Sequence, residues 1–415
     1  MGEILFLSHR IPFPPDRGDK IRSHNVLKAL AQLAPVHVAT FVDDDHDLAS
    51  ERDLAELAAT HILRRRDKHL AVAAVEALTR GSALSLTAFR DRRLQVWIKE
   101  TLRRRPIEAI YVFSGQMAQY IPEDFEGRVI ADLVDVDSAK FEAYAAKSRG
   151  LRSWMERREA RLLGAEEARI AARANATLLI SSAEAQLLNS RMPAPIAQAG
   201  TVHAMGNGID SAFFDPSQVE PEARMKRVGD LRIIFTGQMD YAPNVEAVIR
   251  TIERIMPAVR SVRPDASFHV VGRNPGPELR VRDRMDGIHV WGRVDDIRPW
   301  LAAADLALVP LDVARGVQNK VLEAMAMALP VVLTPGAATG IDALPGCDFL
   351  IAESDAALAD ALCSLAHDKA RALAMGAAAR RWIEANAAWE SALAMLPEYV
   401  RPGFSKLRQC DLTCA

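Results

Sequence analysis

The sequence predicts an α/β protein made of two successive domains, each with a parallel sheet. Short apolar runs alternate with helical patterns in both halves of the chain, and a polar, turn-forming stretch at residues 192–230 separates the halves. Apolar runs of this length are typical of strands buried on both faces of a parallel sheet. A chain of 415 residues also fits two domains better than one.

The predicted elements follow the same order in both halves. The strands of the first half are predicted at 4–8, 36–41, 110–113, 129–133 and 176–180, and those of the second half at 231–236, 267–271, 288–291, 306–310, 331–334 and 349–352. Helices are predicted at 21–33, 95–104, 154–173, 245–262, 361–384 and 389–399. The predicted domains are 1–200 and 201–388. The helix and tail at 389–415 would either cap the second domain or cross back onto the first.

Composition excludes several classes of protein. The formal net charge of −2 argues against nucleic-acid binding, and the four cysteines lack a metal-binding spacing, which favours a reducing, cytoplasmic setting. No run approaches the ~20 apolar residues of a membrane span. The arginine runs 64–66 and 103–105 are interpreted as solvated helix ends; the alternative is contact with an anionic membrane surface, such as the inner face of the plasma membrane.

The segment 315–332 contains the most informative pattern, a loop, a short helix and a buried strand. It follows the predicted strand 306–310, so the start of its helix should lie at the carboxyl edge of a parallel sheet, where ligands bind. A helix start carries partial positive charge and unpaired amides that suit a phosphate. Lys320 and Glu323 are three residues apart and share one helix face. A cation for phosphate and a carboxylate for hydroxyls would suit a nucleotide sugar.

A glycine loop follows the first predicted strand of the second half. Gly237 lets the backbone approach a ligand closely. Asn244, at the end of this loop, is either a further site residue or only a cap for the next helix.

Two more loops add polar groups at the same predicted edge. Gly272 again permits close approach, and Arg273 offers five donors that suit a diphosphate, although it could equally be a surface arginine. Asn274 follows in the same loop. The segment 291–295, which contains Arg293, could flank the edge of a base.

In the first half, the loop at 12–22 combines three prolines with five charged residues. Gly18 would admit a ligand, and a helix beginning near Asp19 would point its N-terminus at the cleft, with Arg17 beside it. The alternative is an ordinary turn between strand and helix. The density of charge favours a functional loop.

Three aspartates, Asp132, Asp135 and Asp137, follow another strand of the first half. They could hold a metal ion, face solvent at a strand end, or orient an acceptor hydroxyl, the role for which Asp135 is the candidate. A metal is the weaker interpretation because Mg²⁺ is normally shared with substrate phosphates, which are expected in the other domain. Gly-x-Gly-x-x-Gly, Gly-x-x-x-x-Gly-Lys-Ser/Thr and Gly-x-Ser-x-Gly sequences are all missing, which argues against common dehydrogenases, NTPases and esterases.

An ordered set of short motifs resembles glycosyltransferase family 4. The matching pieces are 207–210, 235–237, 271–272, 292, 305–310 and 323–332. The resemblance implies a GT-B fold, in which two Rossmann-like domains face across a cleft, and a retaining, metal-independent transfer without a cofactor. Segments 14–23, 132–138, 241–244 and 316–320 are most similar to sugar transferases associated with PEP-CTERM/exosortase systems and exopolysaccharide synthesis.

The resemblance also implies roles for single residues. Lys320 and Arg273 would neutralise the leaving diphosphate, and Glu323 would contact the ribose of the donor. Arg315 stands where the family usually has a first glutamate that holds the donor sugar, so Asp312 or Lys320 could contribute differently. The predicted donor site contains Gly237, Gly272, Arg273, Asn274, Arg293, Arg315, Gly316, Val317, Lys320 and Glu323.

We therefore expect a cytoplasmic retaining glycosyltransferase that takes its sugar from a UDP- or GDP-sugar. The expected acceptor is a saccharide or a lipid-linked saccharide, with peripheral membrane contact as a further expectation. Lys320, Arg273 and Asp135 are the expected catalytic residues, and Arg17, Gly18 and Asp19 form the acceptor loop. Two alternatives stay open: a GT-B sugar-nucleotide epimerase, and a catalytically silent saccharide-binding or assembly protein, which the arginine at position 315 motivates.

Overall fold

A computed structural model describes residues 2–312 and 317–401 of the chain. These residues form two compact units. The first unit runs to Gly206 and also contains the described residues from Leu393 onwards, whereas the second unit runs from Asn207 to Ala392. Each unit has its own parallel sheet with helices, so the prediction of two Rossmann-like α/β domains is confirmed.

The first unit contains a seven-stranded sheet in the order β3-β2-β1-β4-β5-β6-β7, and every neighbouring pair is parallel. Its strands are β1 (Glu3–Ser8), β2 (Val36–Val42), β3 (Thr60–Arg65), β4 (Ile107–Phe113), β5 (Arg128–Val134), β6 (Ala176–Leu179) and β7 (Val202–Ala204). Its helices before Gly206 are α1 (Gly18–Ala31), α2 (Asp45–Ala49), α3 (Glu51–Leu57), α4 (Leu70–Arg80), α5 (Leu84–Ala88), α6 (Arg92–Arg104), α7 (Asp137–Lys147), α8 (Gly150–Arg173), α9 (Ser182–Arg191) and α10 (Ala194–Gln198), with a 3₁₀ turn at Gly115–Tyr120.

The two edge strands β3 and β7 escape sequence-based prediction. Strand β3 is partly exposed along its length and ends in arginines, a composition that edge strands tolerate because one side faces water. The interpretation of residues 64–66 as a helix end is therefore wrong. Arg64 and Arg65 end the strand and form ion pairs with Asp91 (3.2 Å) and Asp45 (2.7 Å). The other run does end a helix, α6.

The second unit contains a six-stranded parallel sheet in the order β10-β9-β8-β11-β12-β13. Its strands are β8 (Leu231–Thr236), β9 (Ala266–Val271), β10 (Ile288–Gly292), β11 (Leu306–Val309), β12 (Val331–Leu333) and β13 (Leu350–Ile351). Its helices are α11 (Ala223–Lys226), α12 (Ala242–Arg250), α13 (Met256–Val262), α14 (Pro277–Arg280), α15 (Arg298–Ala303), α16 (Asn319–Ala326), α17 (Asp355–His367), α18 (Lys369–Trp382) and α19 (Trp389–Ala392); π-helical segments lie at Thr251–Ile255 and Ile383–Ala387, and a 3₁₀ turn at Pro216–Gln218.

Two of the predicted helices are interrupted by residues outside any helix, and the helix predicted at 245–262 contains the π-helical segment Thr251–Ile255. The helix predicted at 361–384 is divided at Asp368, because the side chain of this residue accepts a hydrogen bond from the amide of Arg371 and so caps α18. The helix predicted at 389–399 consists of α19 and the separate α20 (Leu396–Val400).

The C-terminal helix α20 belongs to the first unit. Arg128, at the start of β5, donates a hydrogen bond from Nε to the carbonyl oxygen of Tyr399 (2.8 Å). The Tyr399 ring also stacks on His203 of β7, with 5.1 Å between the ring centroids. In the described part of the chain, no helix is both long and apolar enough to cross a membrane.

Candidate functional site

At the carboxyl edge of the second sheet, three glycine-containing loops are held side by side by backbone hydrogen bonds. The amide of Gly237, after β8, donates to the carbonyl oxygen of Val271 (3.1 Å), and the amide of Gly272 donates to that of Gly292 (2.9 Å). Carboxyl ends of parallel strands lie at one edge, so loops far apart in sequence meet there. The structure brings the predicted loops together.

The approach of two of these loops requires glycine. A Cβ atom at Gly272 would lie 1.6 Å from the carbonyl oxygen of Gly237, which is far inside van der Waals contact. A Cβ at Gly237 would lie 2.9 Å from the Asn244 Nδ2 atom and 3.1 Å from the Lys320 Nζ atom, at a φ of +153°. The glycines therefore leave room for the polar side chains that converge behind the loop.

Gly272→Ala is expected to lower the free energy of unfolding by about 1–3 kcal/mol, because the new methyl group overlaps a backbone oxygen that cannot rotate away. Nucleotide binding should weaken at the same time, since the loop after β8 must move. Urea unfolding and calorimetric titration would measure both effects. The control is Gly164→Ala inside α8, where the new Cβ makes only ordinary contacts at 3.6 Å. Equal effects of the two substitutions would contradict the expectation.

Helix α16 presents Lys320 at this site because its other faces pack in the core. Its residues Val321, Leu322, Ala324 and Met325 are buried. The Lys320 ammonium group donates to Oδ1 of Asn244 (2.5 Å) and lies 4.5 Å from the centroid of the Phe235 ring. Burial lowers the pKa of Lys320 to about 8, although the Glu323 carboxylate acts in the opposite direction. The site thus contains a partly desolvated cation, which attracts anions more strongly than a solvated one.

The side chain of Asn244 accepts the hydrogen bond from Lys320, and Asn244 is not the N-cap residue of its helix. It lies inside α12, whose N-cap residue is Tyr241. Its amide group donates to the carbonyl oxygen of Gln238 (2.9 Å), so the side chain connects the loop after β8 to Lys320. The interpretation of Asn244 as only a cap is wrong.

Glu323 lies on the same helix as Lys320 and is partly buried. Burial raises the pKa of Glu323 to about 7, and the charge of Lys320 partly opposes this increase. Its carboxylate makes no hydrogen bond with any other residue that the structure describes. It is therefore available to accept hydrogen bonds from ligand hydroxyls.

The exposed residues Arg273 and Asn274 connect the loop after β9 to the loop after β8 through hydrogen bonds. Arg273 donates from Nη2 to Oε1 of Gln238 (2.9 Å), and Asn274 donates from Nδ2 to Oδ2 of Asp240 (2.9 Å). Asn274 has a φ of +58°, a left-handed conformation that asparagine tolerates better than most residues. Arg273 thus lies in the loop after β9, beside the loop that contains Gly237, and one nitrogen of its guanidinium group already donates a hydrogen bond.

The remaining predicted donor residues have less definite surroundings. Arg293 is exposed and, among the described residues, forms no ion pair. Val317 lies two residues before α16. The N-cap residue of this helix is Gln318, and its side chain makes no capping hydrogen bond. Arg315 and Gly316 lie outside the described residues. Asp312 is largely exposed and forms an ion pair with Arg250 (2.6 Å).

In the first unit, the predicted acceptor loop lies at the carboxyl edge of the sheet, at the start of α1. Gly18 begins this helix in open space, and Arg17 is its exposed N-cap residue. Asp19 pairs with Arg10 (2.7 Å) and lies 3.4 Å from His9. Burial alone would raise the pKa of Asp19, but the hydrogen bonds from His9 and Arg10 outweigh it and hold this pKa far below its usual range.

The other two cations of this loop turn inward, so part of the charge density that favours a functional loop has a structural role. Lys20 is buried against Asp47. Arg22 is fully buried and donates from Nε and Nη2 to Asp132 (2.9 and 3.1 Å). Asp132 therefore does not face solvent. In the residues that the structure describes, no three His, Cys, Asp or Glu side chains form a group suited to a metal ion.

Asp135 and Asp137 share one lysine that sequence analysis overlooks. Lys140 donates to Asp135 (2.8 Å) and to Asp137 (3.2 Å). Two residues at the ends of the adjacent strands β4 and β5 have positive φ values: Ser114 (+77°) and Val134 (+69°). For a β-branched valine this conformation is strained, and strain of this kind is concentrated at functional sites. The spacing of Lys140 from Asp137, one helical turn, is the signal that could have identified it.

Part of the chain is similar in sequence to known glycosyltransferases. Residues 230–368 match the family model described as Glycosyl transferases group 1. A GDP-mannose-dependent monoacylated α-(1-6)-phosphatidylinositol monomannoside mannosyltransferase of Corynebacterium glutamicum is 30% identical over 212 residues, which are 46% of this chain and 53% of that protein. The chain thus spans about half the length of the curated relative it matches. Within the second unit, residues 230–368 are thus similar to the glycosyl transferases group 1 family.

Solved structures of similar fold cover almost the whole chain. The Anabaena protein HepE in complex with UDP and glucose has a TM-score of 0.61 at 13% identity, covering 96% of this chain and 99% of that one. Sucrose-phosphate synthase from Thermosynechococcus elongatus has a TM-score of 0.61 at 16% identity, covering 100% of both chains. The predicted GT-B fold is confirmed.

Proposed function

We propose that this protein is a glycosyltransferase that moves a sugar from a nucleotide diphosphate-sugar to a saccharide or lipid-linked acceptor. The observation that carries the proposal is the convergence of Lys320, Asn244 and Gly237 at the carboxyl edge of the second sheet, with Glu323 on the same helix as Lys320. The match of residues 230–368 to glycosyl transferases group 1 supports it. So do the curated relative, whose name states GDP-mannose dependence, and the similar structure that contains UDP and glucose.

The donor would bind through charge and hydroxyl recognition in the second unit. The Lys320 ammonium group would exchange its contact with Asn244 for the diphosphate, and the Arg273 guanidinium would add a second positive charge. The N-terminus of α16 favours an anion in the same place. Glu323 would accept hydrogen bonds from ribose hydroxyls. These groups stabilise the negative charge that develops on the leaving diphosphate.

The acceptor side of the proposal rests on the first unit. The acceptor would contact Arg17, Gly18 and Asp19 at the carboxyl edge of the sheet of the first unit. Asp135 would orient the acceptor hydroxyl. Asp135 is suited to this role because Lys140 fixes its carboxylate while part of the side chain stays exposed.

Finer features of the proposal rest on the resemblance to glycosyltransferase family 4. We propose that the transferred sugar retains its configuration and that the reaction needs no metal ion. We also propose a cytoplasmic role in exopolysaccharide or cell-surface glycan synthesis of the kind associated with PEP-CTERM/exosortase systems. A chelator should therefore leave the rate unchanged, and proton NMR of the first product should show the anomeric configuration of the donor.

A donor screen tests the proposal. Calorimetric titration with UDP and GDP identifies the base, and a hydrolysis assay with UDP- and GDP-sugars, including UDP-glucose and GDP-mannose, identifies the sugar. We expect one base to bind and one donor to be hydrolysed slowly without acceptor. Binding of neither nucleotide would contradict the proposal and favour a silent assembly protein. Conversion of the donor into an isomeric sugar without an acceptor would instead indicate an epimerase.

The pH dependence of donor use should report the protonation of Lys320. We expect kcat/KM for the donor to fall as pH rises through about 8, because the pKa of Lys320 is lowered to about 8 and the free enzyme loses its ammonium charge above it. Lys320→Arg keeps its charge at every accessible pH, so this variant should lack the fall, whatever its absolute rate. The same fall in both proteins would assign it to another group.

A further inference from the structure

Helix α4 of the first unit directs its large apolar side chains into solvent. The side chains of Leu70, Val72, Val75 and Leu78 are between 58% and 72% exposed. The small residues Ala73 and Ala77 of the same helix are buried instead. A helix that packs only on a core would show the reverse arrangement. Contiguous exposed apolar surface of this kind marks a contact site.

The beginning of α8 continues this apolar surface. Leu151, Trp154 and Met155 are between 46% and 73% exposed. Arg158, one helical turn after Trp154, donates from Nη2 to the carbonyl oxygen of Ala77 in α4 (3.0 Å). Because residues four apart share a helix face, this bond places the exposed face of α8 beside the end of α4. We call the seven exposed apolar residues of the two helices the α4–α8 surface.

Basic residues flank the α8 part of the α4–α8 surface along the chain. Residues 140–161 contain seven lysines and arginines but only three glutamates. Lys147, Arg149, Arg157 and Arg161 are exposed. One of the glutamates, Glu159, is buried and accepts hydrogen bonds from the amides of Leu84 and Ser85 (both 2.8 Å), so it cannot offset the surface charge there.

We propose that the α4–α8 surface docks on an anionic lipid bilayer. Exposed aliphatic and tryptophan side chains flanked by lysine and arginine are the composition of helices that lie in a membrane interface. The apolar side chains would enter the boundary between headgroups and acyl chains. The basic side chains would contact anionic headgroups, whose attraction falls as salt rises. The inference rests on exposure and charge in the first unit alone, and it stands whether or not the protein is a glycosyltransferase.

Sedimentation of the full chain with sucrose-loaded vesicles tests the proposal. Vesicles of equal parts phosphatidylcholine and phosphatidylglycerol should bind the protein, vesicles of phosphatidylcholine alone should bind it weakly, and added NaCl should weaken the binding. Leu151→Glu and Val75→Asp should each reduce binding about tenfold or more, because each replaces an inserted apolar group by a carboxylate.

Two residues of the second unit provide matched controls. Leu373 is 75% exposed and Val262 is 65% exposed, compared with 73% for Leu151 and 63% for Val75. Leu373→Glu and Val262→Asp should leave vesicle binding unchanged. An equal loss in the control variants would overturn the proposal, because it would show a general effect of charge. Thermal melting of all four variants checks that each remains folded.

Trp154 provides an independent reading of the contact. It is the one exposed tryptophan of the six in the chain. Its fluorescence emission should shift to shorter wavelength on anionic vesicles, and Trp154→Phe should remove the shift.

Failure to bind either vesicle would overturn the proposal. Concentration-dependent dimerisation in light scattering that Leu151→Glu abolishes would then assign the surface to a second copy of the chain. Donor hydrolysis should be the same in Leu151→Glu and the unaltered protein, which separates this result from the proposed activity.

Discussion

Lys320→Ala is expected to reduce glycosyl transfer by about 10²–10³ while leaving the protein folded. The Lys320 ammonium group lies 2.5 Å from Oδ1 of Asn244 and is partly desolvated between the Phe235 ring and the loop that contains Gly237. A charge in such surroundings stabilises a leaving diphosphate more than a solvated lysine would. Stability should change little, because the deleted cation is itself disfavoured by burial.

The measurement is kcat and kcat/KM with the donor identified by the screen, together with circular dichroism and thermal melting. Lys369→Ala is the matched control, because this lysine is exposed at the start of α18, away from the glycine loops. Near-normal turnover by Lys320→Ala would refute the assignment of this lysine as a catalytic residue. Loss of activity accompanied by a broad loss of folding would refute the expectation that the residue is dispensable for stability.

Asn244→Ala would separate positioning from charge. The substitution keeps the ammonium group but removes its hydrogen-bond acceptor and the link to the carbonyl oxygen of Gln238. We therefore expect a smaller loss of activity than for Lys320→Ala, with a larger effect on kcat than on donor binding.

The predictability of this site follows from the geometry of parallel sheets. Gly237 and Gly272 follow buried apolar runs, and carboxyl ends of neighbouring parallel strands lie at one edge, so their proximity could be predicted without knowledge of any contact. Lys320 and Glu323 could be placed together because a helix has a fixed period. The contact between Asn244 and Lys320 could not be predicted, because 76 residues separate them and the local sequence of Asn244 is equally typical of a helix cap.

The first unit shows the opposite case. The charges of the loop at 16–22 have similar spacing and polarity in the sequence, yet Arg17 is exposed whereas Lys20 and Arg22 are buried. Helical period separates the faces, but only tertiary packing decides which face meets the core. The partner of Arg22 lies 110 residues away in β5, so no local pattern shows that this arginine is structural.

Arg22→Met is expected to lower the free energy of unfolding of the first unit by about 3–5 kcal/mol. Both partners of the ion pair are almost inaccessible to water, since the Arg22 side chain is 1% exposed and that of Asp132 is 0% exposed. Removal of the guanidinium leaves the Asp132 carboxylate buried, with the hydroxyl of Tyr111 (2.8 Å) as its remaining side-chain donor among the residues that the structure describes. Arg22 Nη1 also donates to the carbonyl oxygen of Gly206 (3.0 Å), and this bond would be lost as well.

The size of this effect reflects an uncompensated charge more than the strength of the pair, and a double substitution distinguishes the two. Arg22→Met combined with Asp132→Leu removes both charges, so its urea-unfolding free energy should recover most of the loss of the single variant. Arg169→Met provides the control, because Arg169 pairs with Glu166 at 2.6 Å on the exposed face of α8, where ion pairs contribute ~0–1 kcal/mol. If the double variant is no more stable than Arg22→Met, the attraction within the buried pair itself stabilises the packing of α1 against β5 and Gly206.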